Sequence, residues 1–80
     1  MATTNPIYEV VEGSNEYLNL DRILRGIITE NIVEGESTTY NVEVCMYQGR
    51  LFRYSNLTLI QKDNLITAWK EWQNHKYPVI

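Results

Sequence analysis

Few side chains in this sequence could carry out covalent or acid–base chemistry. Cys45 and His75 are its only cysteine and histidine. They would form a thiolate–imidazole pair only if folding brought them together. Cys45 lies in an alternating apolar run, where a cysteine is normally a small packing residue. His75 follows a helical pattern, where it suits the negative end of the helix dipole. Glu30, Glu34 and Glu36 are close enough in sequence to gather a hard cation, but the alternating Asp/Asn series of a calcium loop is missing. Gly13, Gly26, Gly35 and Gly49 are dispersed, so no phosphate-cradling loop is present. No catalysis, cofactor, metal site or small-molecule substrate is expected.

Binding chemistry is better represented. Trp69 and Trp72 sit three residues apart in the C-terminal segment and share part of one helix face. Both suit a helix packed on a sheet, and either could instead anchor a protein partner. Tyr47, Arg50, Arg53 and Tyr54 combine stacking surfaces with guanidinium groups, a mixture able to pair with carboxylates or stack on bases. Ordinary cross-strand pairing accounts for them equally well. Glu30, Glu34, Glu36 and Glu43 are candidates for an acidic face.

Charge is uneven along the chain. Residues 1–36 carry a net charge of −5 and residues 44–80 a net charge of +3, within a total of −3. An ordinary solvated surface whose two signs mix after folding accounts for it; the sharper reading is a bipolar surface that favours head-to-tail contact or a charged partner. The basic stripe typical of nucleic-acid binders is absent. Eighty residues, 44% of them hydrophobic, make one domain with a small core. A single cysteine allows no internal disulfide. No basic leader and no apolar run of the ~18 residues needed to span a bilayer is visible, so a cytoplasmic protein is expected. Asn56-Leu57-Thr58 matches a glycosylation acceptor that would stay idle there.

The elements that must position these groups begin after a loose arm, residues 1–6. The β-rich core is expected over 7–60 and the helix over 62–76. Ile7–Val11 reads as a strand closed by Glu12-Gly13-Ser14-Asn15. Residues 17–21 read as a short turn or helix, followed by a strand over 23–33 bent at Gly26. The rival is one helix over 16–28, which Gly26 and the β-branched residues oppose. Thr38–Tyr54 is the central hairpin. Tyr40, Val42, Val44 and Met46 alternate with Asn41, Glu43, Cys45 and Tyr47, and Gln48-Gly49 supplies the turn. Ser55-Asn56 is expected to turn the chain into a last strand, Leu57–Ile60. Asp63 is the expected N-cap of a helix carrying Leu65, Ile66, Trp69 and Trp72 as its apolar stripe.

From Gly26 to Ile60 the order is Gly-Ile-Ile-Thr, a short acidic loop, Tyr-Asn-Val-Glu-Val, a glycine turn, Leu-Phe-Arg-Tyr and Leu-Thr-Leu-Ile. This rhythm resembles the small SH3-like barrels of the Tudor type. It covers under half of the chain, implies a partly closed barrel and transfers no ligand site. The reading as a whole is an α+β domain: a small, twisted, mainly antiparallel sheet or partly closed SH3-like barrel with a C-terminal helix on it. The expected function is a protein–protein interaction module that self-associates as a homodimer or larger assembly. One alternative is a small inhibitor of the kind mobile elements encode, holding a host nucleic-acid-processing protein by its acidic face. Another is single-stranded nucleic-acid binding through the Tyr/Arg hairpin.

Overall fold

The computed structural model describes residues 5–77. Two antiparallel sheets and one helix make up the α+β fold. Strand β1 (Ile7–Glu9) pairs with β2 (Tyr17–Asn19), and β3 (Ile23–Asn31), β4 (Thr39–Met46) and β5 (Leu51–Leu57) form a second sheet in that order. Helix α1 (Leu59–Lys76) follows. Strands β3 and β5 do not pair with each other, so the three-stranded sheet stays open and no barrel closes. Of the expected N-terminal arm, residues 1–4 lie outside the described residues. Pro6 is tied in, its carbonyl accepting the Leu20 N–H at 2.7 Å.

Alternation builds the core. Val42, Val44 and Met46 of β4 are buried, and so are Ile23 and Leu57 on the flanking strands. Above this face lie Val10, Leu18 and Leu20 from the N-terminal segment and Leu65 and Ala68 from α1. The opposite face of the sheet presents Arg25, Ile27, Thr29, Asn41, Glu43, Cys45 and Arg53. The Gln48-Gly49 turn forms as its sequence predicts, with Gly49 at φ +84°, where a side chain would be strained. The ambiguous segment resolves into strand β2, a 3-10 turn over Leu20–Arg22 and strand β3, not a single helix.

Four expectations need correction. The bend in β3 falls between Ile23 and Arg25, where one extra residue bulges out; Gly26 continues the strand. Ser55-Asn56 does not turn the chain. Asn56 takes a left-handed φ of 57°, its N–H donates to the Asn41 side chain at 3.1 Å, and β5 absorbs the extra residue as a bulge between its pairings with Val42 and Tyr40. Leu59-Ile60 is not strand but the first turn of α1. Thr58, not Asp63, is the N-cap: its hydroxyl accepts the Gln61 N–H at 3.1 Å, and Gln61 Oε1 accepts the Thr58 N–H at 2.9 Å. This reciprocal box starts the helix five residues earlier than Asp63 would.

Candidate interaction site

Strand β3 supplies the main exposed apolar surface. Among the described residues it is an edge strand, paired only on its β4 side. Leu24, Ile27 and Ile28 are 50%, 54% and 44% exposed, and Ile32 and Val33 beyond it are exposed too. β-branched residues keep this segment extended. It contains no proline or lysine to discourage a second strand.

Beside this edge, between the sheet and α1, runs an apolar groove of about 190 Å³. Ile23, Gly26 and Ile28 form its β3 wall, Leu65, Ile66 and Trp69 its helix wall, and Lys70 is the one charged residue at it among those described. The missing side chain of Gly26 helps to open it. A β-carbon there would meet only the Glu43 carbonyl oxygen, at 3.7 Å, so nothing else occupies the space. Trp69 Nε1 is buried without an acceptor among the described residues. Lys70 has no ion-pair partner among them.

The two tryptophans divide their roles. Trp69 lines the groove, while Trp72 is anchored inside the molecule, its Nε1 donating to Asp21 Oδ1 at 3.2 Å. Lys76 Nζ donates to the same oxygen at 2.6 Å. These two donors, the lysine first, hold the Asp21 carboxyl below its ordinary value. The same contact with Asp21 raises Lys76. The His75 ring packs at a tilt of 40° against Trp72, with ring centroids 5.4 Å apart.

Folding does not gather the hairpin residues into one cluster. Tyr54 stands opposite Val42 on the core face, where burial, with a smaller contribution from Glu16, raises its hydroxyl. Arg53 stands opposite Glu43 on the other face and bonds its carboxylate at 3.1 Å. Arg50 lies over the Phe52 ring, 5.3 Å from its centroid, and Tyr47 is exposed in the turn. The acidic residues are divided too. Glu30 pairs with Tyr40 on the helix side, Glu43 faces the other way, and Glu34 and Glu36 are exposed in the β3–β4 connection. Glu30 adds a small field at Lys62, whose ammonium is raised chiefly by Asp63, 2.7 Å away. Cys45 lies on the sheet face away from α1, so the sheet separates it from His75.

The groove residues Ile23, Gly26, Ile28 and Lys70 were not among the sequence candidates. Their signal was present: an isolated glycine within a β-branched strand marks a place where something approaches closely. No group of three His, Cys, Asp or Glu among the described residues is arranged to hold a metal ion. No helix among them is long and apolar enough to cross a membrane. Comparison with protein-family models, with curated proteins and with solved structures gives no match.

Proposed function

We propose that this protein is a non-catalytic protein–protein interaction module that self-associates. The observation that carries this reading is the open edge of β3, nine residues long and continued by two exposed apolar residues. Such an edge presents unpaired backbone donors and acceptors beside apolar side chains, and another strand satisfies both at once. The small core supports the same reading. The ten buried side chains among the described residues are all apolar, and a domain of this size gains much from covering further apolar surface.

Sedimentation equilibrium over a dilution series tests the proposal. The expected result is an average mass that rises from monomer towards dimer with concentration. A constant monomer mass up to the solubility limit would overturn it.

A further inference from the structure

The self-association reading above leaves the interface open, and the geometry of β3 points to a definite one. We infer that two copies pair antiparallel through β3, about a two-fold axis normal to the sheet at Ile27. The second copy's Ile28 then enters the groove beneath α1, and its Glu30 faces Lys70.

Symmetry restricts the choices. Antiparallel pairing of identical edges requires a two-fold axis normal to the sheet, which keeps both helices on one side. Directly opposed residues then point to the same face, so the axis lies level with one residue of β3, midway between it and its symmetry mate. Ile23, Gly26, Ile28 and Glu30 point to the helix side, and Arg25, Ile27 and Thr29 point away from it.

Side-chain chemistry separates the registers centred on the middle of the strand, at Gly26, Ile27 and Ile28. With the axis at Ile28, Gly26 faces the second copy's Glu30, and a carboxylate is directed at an apolar groove. With the axis at Gly26, two glycines face each other and the groove stays empty. With the axis at Ile27, Gly26 faces the second copy's Ile28. The space left by the glycine then receives a branched aliphatic side chain, and symmetry repeats the contact. The groove of about 190 Å³ suits such a group, since an apolar cavity of ~150 Å³ already accepts a benzene-sized molecule.

Charge agrees with this register. Helix α1 runs antiparallel to β3: Lys62, near its start, sits over Tyr40, the neighbour of Glu30, and Lys70 lines the groove with Ile23 and Gly26. Within one copy, therefore, Glu30 is at the Lys62 end. Across the two-fold axis, the second copy's Glu30 lies beside Ile23–Leu24, within the region of Lys70. A lysine without an ion-pair partner among the described residues thus meets an exposed glutamate twice in the dimer.

The test uses the full chain in sedimentation equilibrium, with thermal melts to confirm folding. Ile28→Lys places a charge in the groove and should weaken dimerisation at least tenfold. Lys70→Glu and Glu30→Lys should each weaken it several-fold, and the double reversal should restore it. Should Ile28→Lys fail to fold, Gly26→Val occupies the same space from the monomer side in a residue type that strands favour, and should also weaken the dimer. In a Cys45→Ser background, Ile27→Cys should form a disulfide-linked dimer under mild oxidation, because opposed strand residues lie within disulfide reach. A dimer unaffected by these changes, or one in which the charge reversals do not compensate, would overturn this interface while leaving self-association standing. A wild-type chain that never dimerises removes both.

Discussion

Replacing Thr58 with alanine should shorten or fray the start of α1. Thr58 is exposed, so the substitution removes almost no packing. What it removes is the hydroxyl that accepts the Gln61 N–H at 3.1 Å, and with it the geometry that lets Gln61 return the bond to the Thr58 N–H at 2.9 Å. Loss of an N-cap of this kind costs about 1 kcal/mol, within a range of roughly 0.5–2. In a domain of this size each ~1 kcal/mol moves Tm by roughly 4–8 °C. Gln61→Ala should cost less, since the hydroxyl keeps its own acceptor role. The double variant should cost little more than Thr58→Ala alone, because both changes break one reciprocal unit. Asp63→Ala is the informative control. Asp63 lies inside the helix and, among the described residues, pairs only with its neighbour Lys62 at 2.7 Å, a half-exposed contact with little effect on stability. Thermal melts followed by far-UV dichroism supply the comparison, at concentrations low enough to avoid association. If Asp63→Ala lowers Tm more than Thr58→Ala does, the helix starts where the sequence pattern first placed it, and the capping argument fails.

Two further predictions concern the tryptophan face. Asp21 has its carboxyl held below the ordinary value of 3.8, so its stabilising effect is fully present above that value and is lost as pH falls through the lower folded one. The Tm gap between wild type and Asp21→Asn should therefore be steady near neutrality and shrink below pH 3.8; a gap that widens on acidification would contradict the assignment. Trp69→Phe removes a buried N–H that has no acceptor among the described residues, relieving about 1–3 kcal/mol, while the smaller ring forfeits apolar burial on the order of 1 kcal/mol. Its Tm should stay close to wild type, whereas Trp72→Phe, which strips a donor from Asp21, should lower Tm clearly. The reverse order in parallel melts would show that the two indoles have been assigned the wrong roles.

Local rules were enough to write down the central hairpin. The alternation from Tyr40 to Met46 predicts which β4 side chains are buried, and Gln48-Gly49 gives the turn because a positive φ belongs to glycine. The β-branched residues around Ile27 predict strand instead of helix, and β3 forms. The C-terminal helix was equally legible in kind, though not in its first residue. Thr58 with Gln61 is a capping box in plain sequence. Leu57–Ile60 masked it, since a short apolar run reads as strand until its neighbours are known.

Other features were settled only by long-range contacts. Ser55-Asn56 has the composition of a turn, yet pairing with β4 retains it as a bulge because Asn41 satisfies the Asn56 N–H from across the sheet. Asp21 meets Trp72 and Lys76 from more than fifty residues away, and no local pattern announces a contact over that distance. The Tyr/Arg hairpin residues and the acidic residues illustrate the same limit: strand parity sends Arg53 and Tyr54, and likewise Glu43 and Glu30, to opposite faces, while Tyr47, Glu34 and Glu36 lie in connections. The groove depends on all of these decisions together. Its walls come from β3, β4 and α1, and its opening depends on which side of the sheet the helix covers. Sequence determined the elements because their periodicities are local; the tertiary structure alone decided which surface remained uncovered, because exposure is a property of the whole packed chain.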